Sequence, residues 1–394
     1  MSRESLTIRN FGPIINIELP DIKRFNIFIG ESGSGKSTIM KVLAMMRWIY
    51  KMCCVRTYFK TSGIQTPFRF RTEAILTDNG LKDFLRHNSE ITYQNGSFVI
   101  QLIKGGLKFP RKNVDQQELT LQKISYISDK RVLIPDLAAG NVSLRHGMFY
   151  LDETFLNFRK ALDVIPESAM DYLGVKMTVR KNNVGKRVFV SSLEKNINPF
   201  DNLPLTSASS GMQSSVALHF IIKYFSRHYD IVDSMNSTIV RFLAAGDNLS
   251  KFSAASNIGS FPHKRTSIHL EEPELSLFPV NQWGLMKFLI GECLLSEKSE
   301  MDLSIATHSP YILTAINIMM LADRASKTDK SAFESLSIDI PLLDVTETSA
   351  WSVRDGKCES LLDSTAGLID GTYLDNTSDI YEDLIINLNN IIYG

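Results

Sequence analysis

The sequence predicts an α/β fold on three observations. The run FNIFI (Phe25–Ile29) is a continuous apolar strand delivered straight into the glycine-rich stretch GESGSGKST (Gly30–Thr38), and a helical pattern follows it. A second strand, TSIHLEEPE, ends in the adjacent acids Glu271 and Glu272 and is followed by the helical QWGLMKFLIGECLL. A third, DLSIATHSP, ends in His308. Strands alternating with helices are the signature of that class.

The remaining elements follow in order. SLTIRNF and INIELP alternate apolar and polar residues around Gly12-Pro13, which reads as two short strands and a turn. Ile39 to Tyr58 is helical and apolar on more than one side, as in a buried helix. Residues 68–110 read as strands and turns, with Asn95-Gly96 as a hairpin turn. Residues 145–173 read as helical through Phe149, Leu151, Phe155, Phe158, Leu162 and Ile165. VKMTVRK and KRVFVSS are strand-like and joined by NNVG, and the polar loop SASSGMQ opens a strongly apolar helix. Residues 230–264 are mixed and serine-rich, an expected insertion.

Composition narrows the function classes. A chain of 394 residues with 44% hydrophobic and 22% charged residues is ordinary for a globular protein, and it holds one large domain or two moderate ones. No apolar run reaches the length of a membrane span, and the N-terminus lacks the apolar core of a signal peptide. Cys53, Cys54, Cys293 and Cys358 form no metal-ligand spacing, which fits a reducing cytoplasm. Net charge is zero, but it is uneven. Eight basic and no acidic residues lie between Ser32 and Thr72, and seven acidic residues without Lys or Arg lie between Cys358 and Gly394. The basic run suggests either a solvated helix face complementing the acidic tail or a contact with DNA.

The motifs carry the chemistry. Gly30–Thr38 fits G-x-x-x-x-G-K-[ST] between a strand and a helix. In that pattern Gly30, Ser32, Gly33, Ser34 and Gly35 let backbone N–H groups curl around phosphate oxygens, and Thr38 lies in the first helical turn. Lys36 would reach the β- and γ-phosphates and Ser37 would ligate Mg²⁺. Glu271 sits where a strand-end acid reaches the metal through water. Glu272, one step beyond, is placed to take the proton from the attacking water. His308 matches a histidine that senses the γ-phosphate, and Ser210-Gly211 opens a helix whose N-terminus could receive a γ-phosphate held by another subunit.

Taken together, these motifs make the chain resemble the ABC-type ATPase superfamily. Within it the likeness is to the non-transporter branch: SMC-type repair ATPases, RecF-like proteins and the ATPase half of OLD (overcoming lysogenization defect) nucleases. It most resembles the stand-alone OLD-like ATPases of bacterial anti-phage defence loci, through FGPI (Phe11–Ile14), SSGMQ (Ser209–Gln213), EEPE (Glu271–Glu274) and THSP (Thr307–Pro310). The resemblance covers roughly 1–225 and 265–394. It implies an ABC-type P-loop head with an N-terminal antiparallel β-subdomain and a helical signature subdomain. The expected division is 1–135 (N-lobe), 140–265 (signature lobe) and 266–394 (C-lobe with the acidic tail). It also implies ATP and Mg²⁺ as ligands, Glu271 as the Walker B acid, Glu272 as catalytic base, His308 as switch, and Ser210, Gly211 and Gln213 as a signature acting in trans. The chain would then form a homodimer around ATP, or a higher oligomer, and hydrolyse slowly.

Some positions depart from the pattern. Met212 replaces the second signature glycine, and about 60 residues separate Gly211 from Glu271. Gln65, Gln94 and Gln101 are all candidates for the family's Q-loop glutamine, while YISDKR (Tyr126–Arg131) resembles a family segment that would bring Arg131 toward the site. The 86 residues after His308 contain no D-x-D, so a TOPRIM nuclease is not expected. The leading expectation is therefore an ATP-gated switch for a separately encoded effector in anti-phage defence. The alternative is a DNA-binding SMC/RecF-like repair ATPase. A non-hydrolysing adaptor is disfavoured by the presence of both Glu272 and His308.

Overall fold

The chain begins as a hairpin. β1 (Glu4–Phe11) and β2 (Ile14–Leu19) pair antiparallel, with Phe11 opposite Ile14, and the turn between them holds Gly12 at φ +54°. β3 (Phe25–Ile29) is buried at every residue and feeds the glycine loop into α1 (Lys36–Thr61). The computed structural model describes residues 3–61, 70–110, 112–143, 149–182, 185–194, 200–237, 261–296, 300–363, 365–371 and 388.

After α1 come α2 (Thr72–Asp78) and the strands β4 (Glu90–Asn95), β5 (Phe98–Ile103), β6 (Gly106–Lys108) and β7 (Thr120–Ile127). Next are α3 (Ile134–Ala139), α4 (Phe149–Val164), β8 (Glu167–Met170), β9 (Val175–Asn182), β10 (Gly185–Ser192) and β11 (Leu203–Pro204). The last third holds α5 (Ser210–Arg227), β12 (His263–Glu271), α6 (Pro279–Leu294), β13 (Met301–Thr307), α7 (Pro310–Thr328), β14 (Thr348–Arg354) and β15 (Lys357–Ser360). Eleven strands form one mixed sheet in the order β6-β5-β4-β1-β2-β15-β14-β3-β13-β12-β7, and β11-β10-β9-β8 form a second. Pairing is parallel from β14 through β3, β13 and β12 to β7. The three motif-bearing strands therefore lie side by side and end at the same edge.

The side-chain period of two explains the layering. Phe25, Ile27 and Ile29 of β3 point to the face covered by α4, α5, α6 and α7, while Phe28 points to the face covered by α1. Ile268 and Leu270 of β12 and Leu303 and Ile305 of β13 join the first layer. Each of these fully buried side chains contributes about 1.5–3 kcal/mol relative to exposure, so the floor beneath the strand ends is rigid. No described helix is long and apolar enough to cross a membrane.

The structure corrects several expectations. The helical run expected over 145–173 stops at Val164, because Pro166 disfavours helical geometry in the residue before it, and 167–170 pair as β8. Residues 72–78 are helical rather than extended, and the hairpin turn is Gly96-Ser97, one residue later than expected, since Asn95 pairs with Phe98. In the expected insertion, residues 231–237 are helical and His263-Lys264 begin β12, while 238–260 lie outside the described residues.

The basic run is only in part a solvated face. Lys36 and Arg47 are buried and Lys41 and Lys51 half-buried, leaving Arg56, Lys60 and Arg71 exposed; Arg69 lies outside the described residues. Arg47 is engaged in an internal ion pair (below) and is not available at the surface of α1. Of the acidic tail, Glu359 is on β15 and Asp363 and Asp370 are described, while Asp375, Asp379, Glu382 and Asp383 lie outside the described residues.

Candidate active site

The glycine loop is walled on two sides. A Cβ on Gly30 (φ +156°) would lie 2.3 Å from the Val353 carbonyl oxygen, so no other residue fits where the loop leaves β3. A Cβ on Gly35 (φ +113°) would touch Pro13 and Ile14, which places the FGPI turn against the back of the loop. Gly33 (φ +82°) faces open space. Glu31, Ser32 and Gly33 are exposed, Ser34 and Ser37 half-buried, and Gly35, Lys36 and Thr38 buried. The Ser34 hydroxyl is enclosed without a hydrogen-bond partner, an acceptor and donor facing into a loop of the kind that binds phosphate oxygens.

Lys36 donates to the carbonyls of Gly30 and Glu31, both at 2.7 Å, so its ammonium is held inside the loop. Burial pushes its pKa below the ordinary lysine value, against the opposing pull of Glu272, Glu274, Glu271 and Glu31. A partly desolvated ammonium held at the loop is placed to donate to a phosphate oxygen.

The acidic strand end is built by four hydrogen bonds. Glu271 is 6% exposed and its Oε1 accepts from the Tyr126 hydroxyl at 2.6 Å. The same hydroxyl lies 3.5 Å from the Ser37 carbonyl, so Tyr126, at the end of β7, bridges the two candidate Mg²⁺-side residues. Arg131, 1% exposed, donates to the carbonyls of Glu271 (2.7 Å), Glu272 (2.5 Å) and Pro273 (3.4 Å) and to that of Ser128 (3.2 Å). Burial lowers its pKa to about 10, and Glu274, Asp129, Glu272 and Glu271 oppose that shift.

Glu272 is in the left-handed region, at φ +44°. That conformation costs a non-glycine residue about 1–2 kcal/mol, so the surroundings must enforce it. Its N–H donates to the Ala306 carbonyl of β13 at 2.8 Å, and its own carbonyl accepts from Arg131 and from the Leu275 N–H. The turn throws the side chain out of the sheet, where its Oε1 lies 3.9 Å from His308 Nδ1. Both side chains remain partly exposed, at 34% and 47%, and so stand open to a substrate water.

The EEPE and THSP segments are joined. Glu274 Oε1 accepts from the Thr307 hydroxyl at 2.5 Å and from the His308 N–H at 3.3 Å, while Ser309 donates to Gln282 Oε1 at 2.6 Å. Ser309 also caps α7 by accepting from the Ile312 N–H. Thr307, Ser309 and Glu274 thus position Glu272 and His308 relative to each other.

The signature loop meets this assembly from the side. Ser209 caps α5 by accepting from the Met212 N–H, and Ser210 is exposed at the helix start. Gly211 packs on the PELS turn: a Cβ there would sit 2.4 Å from the Ser276 carbonyl oxygen, and Ser276 is itself left-handed at φ +59°. Gln213 donates to the carbonyls of Thr206 and Ala208, so its amide holds the loop rather than facing outward. No hydrogen bond among the described residues joins Ser209–Gln213 to Gly30–Thr38.

Gln94 and Gln101 lie on β4 and β5, bonded to Gly96 and Thr92, and Gln65 lies outside the described residues. In their place β7 brings Tyr126 to the site, a residue with no role assigned from the sequence, and the turn after β12 brings Glu274. Among the described residues no group of three or more His, Cys, Asp or Glu side chains could hold a metal ion alone. Ser37 and Glu271 are suited to Mg²⁺ only together with water and phosphate oxygens.

The protein is similar in structure to the SMC head bound to the C-terminal winged-helix domain of ScpA, at 11% identity over 91% of this chain and 97% of that one, with a TM-score of 0.39. It is similar to the recombination mediator RecF of the RecFOR pathway, at 10% identity over 91% and 99%, with a TM-score of 0.34. It is also similar to a dimeric ATP-binding cassette bound to ADP and Pi, at 12% identity over 90% and 98%, with a TM-score of 0.30. No protein-family model and no curated protein matches the chain. By its own strand order the chain has a mixed α/β fold that brings the glycine loop, the acidic pair and the histidine to one edge of the parallel strands.

Proposed function

We propose that the chain binds and hydrolyses ATP with Mg²⁺, and that two copies close around the nucleotide to act as a switch on a separately encoded effector. The observation that carries the hydrolytic part is the left-handed corner at Glu272, held by Ala306 and Arg131 and facing His308. A strained non-glycine residue persists only where its surroundings over-determine it, and such residues cluster at reactive sites.

In this reading Lys36 and the loop N–H groups bind the β- and γ-phosphates. Mg²⁺, held by Ser37 and through water by Glu271, would neutralise charge developing on the phosphate oxygens. Glu272 takes the proton of the attacking water, and His308 lies across from it to sense the γ-phosphate. Arg131 keeps a positive charge behind the carboxylates while leaving their oxygens free, because it binds only carbonyl groups. Ser210 and Gly211 would meet the γ-phosphate of the second copy, which agrees with the lack of any cis bond to the glycine loop. The sensor role in anti-phage defence rests on the resemblance to stand-alone OLD-like ATPases. For the DNA-binding alternative, Arg56, Lys60 and Arg71 are the exposed members of the basic run, while Lys36 and Arg47 are buried.

The test is ATP turnover per subunit measured against protein concentration, with and without duplex DNA. Turnover that rises with concentration and ignores DNA supports the composite dimer. A concentration-independent rate contradicts it, and stimulation by DNA favours the repair reading.

A further inference from the structure

Behind the acidic strand end lies a cavity of ≈ 240 Å³ between α1, the end of α2, β7 and the start of α4. A second cavity of ≈ 160 Å³ shares Asp78, Asn79, Phe149 and Tyr150 with it and continues to Glu271. The walls are aromatic. Tyr126 and Tyr150 pack with ring centroids 4.3 Å apart and planes tilted by 33°, and Phe149 and Trp48 stand at the mouth, 47% and 38% exposed. Asn79 fixes the far wall by accepting from the Tyr150 hydroxyl.

The charged side chains lining the cavities are Lys41, Lys51, Lys123 and Lys130 against Asp78, Asp129, Glu153 and Glu271, but they are not all paired. Lys123 is bound to Glu153 at 2.5 Å, and Lys41 sits over the Tyr126 ring at 5.9 Å. Asp78 is exposed at the rim. That leaves Lys51, half-buried on the same side of α1 as Trp48 and Ala44, with no ion pair or hydrogen bond among the described residues. Burial and the neighbouring Lys123 lower its pKa to about 8, against the pull of Glu153. A half-buried ammonium with no bonded partner is better satisfied when an anionic group reaches it.

We propose that this cavity is a second ligand site, which takes a small anion on an aromatic body and reports its presence to the hydrolysis site through Tyr126. The aromatic body would stack on Tyr126, Tyr150 and Phe149, and the anionic group would pair with Lys51. The two joined cavities lie within the size range of small-molecule sites, about 300–1,000 Å³. The coupling is direct: the ring that lines the cavity carries the hydroxyl bonded to Glu271. This regulatory part rests on the proposed hydrolysis, whereas binding itself does not.

The experiment separates the two. The full-length Lys36→Ala variant, in which the nucleotide loop no longer competes for phosphate, is titrated with phenyl phosphate while tryptophan fluorescence is followed. A saturable change is expected. It should be absent in Lys36→Ala/Trp48→Phe and weakened about tenfold or more in Lys36→Ala/Lys51→Met, as loss of one charge-assisted bond implies. Circular dichroism verifies that each variant is folded. No saturable change, or equal affinity without Lys51, overturns the site. Equal binding of inorganic phosphate, or of neutral benzyl alcohol, overturns the ligand class. In wild type, phenyl phosphate should change ATP turnover, and Tyr126→Phe should bind it without that change. Binding without any effect on wild-type turnover overturns the coupling alone.

Discussion

Arg47 and Arg131 lie in the same fold with almost no exposure, 0% and 1%, yet their partners differ in kind. Arg47 meets both oxygens of Glu4, at 2.7 and 2.9 Å, and Asp302 at 2.6 Å. The network runs on through Tyr93 to Glu4 and through Ser267 and Gln122 to Asp302. Those carboxylates outweigh burial and hold the guanidinium well above its ordinary pKa. Arg131 has only carbonyl oxygens, its Nε is enclosed without a partner, and burial wins. A charge that is fully matched ties β1, α1 and β13 into one block. A charge left under-matched keeps a field available to neighbouring groups, here three carboxylates at a strand end.

Breaking the proposed general base should give the largest effect. Glu272→Gln should lower turnover about 10²–10⁴-fold while ATP still binds, as for removal of a general base. Substituting the two arginines sharpens the contrast. Arg47→Met removes the guanidinium that binds both carboxylates directly, leaving Glu4 and Asp302 only the Tyr93 and Ser267 hydroxyls and Arg265 at 3.6 Å, and should cost about 3–5 kcal/mol in denaturant unfolding. Turnover per folded molecule should be nearly unchanged. Arg131→Met orphans neutral carbonyls, so its cost should be smaller, about 1–3 kcal/mol, while turnover drops at least about tenfold as the Glu272 corner relaxes. The reverse ranking, a stability loss without an activity loss at Arg131, would remove it from the site.

Acid should reach the block beside Arg47 by a different route. His269 is fully enclosed with neither ring nitrogen bonded, and burial holds its pKa well below the ordinary value, with Arg47 adding to the shift. His219 is likewise lowered to about 3, by burial first and then by Lys223 and Arg227. Both must be neutral in the folded chain. The unfolded chain therefore binds more protons below the ordinary histidine pKa of about 6.5, and stability falls with pH from there. The slope is up to about 1.4 kcal/mol per pH unit per histidine, and His269→Phe should flatten it in melts between pH 7 and 5. Smallest of all, Gln213→Ala removes two bonds within the signature loop and should cost about 1–2 kcal/mol. Its effect on turnover should appear only as a shift to higher protein concentration.

What the sequence made legible follows from what local pattern can encode. The glycine loop is fixed by backbone requirements at Gly30 and Gly35, and the strand ends by continuous apolar runs, so β3, β12 and β13 and their motif residues could be read directly. The positioning shell could not. Tyr126 reaches Glu271 across 145 residues of sequence, and Thr307 reaches Glu274 across 33, and neither pairing leaves a periodic trace. Arg47 failed for the same reason. In a basic stretch it resembled a surface residue, whereas its partners Glu4 and Asp302 lie 43 and 255 residues away. Charge clustering reports composition and says nothing about which side of a helix the fold covers. Pro166, by contrast, was a local signal for the end of α4 that the apolar pattern of 145–173 masked.

The most direct test of the account is a paired measurement on Glu272→Gln, with ATP binding and ATP turnover read on the same preparation at a protein concentration that saturates the wild-type rate. The account predicts nucleotide affinity within about threefold of wild type, since Lys36 and the loop are intact, and turnover reduced at least about a hundredfold. Turnover within about threefold of wild type would contradict it, because the left-handed corner at Glu272 would then serve no hydrolytic purpose.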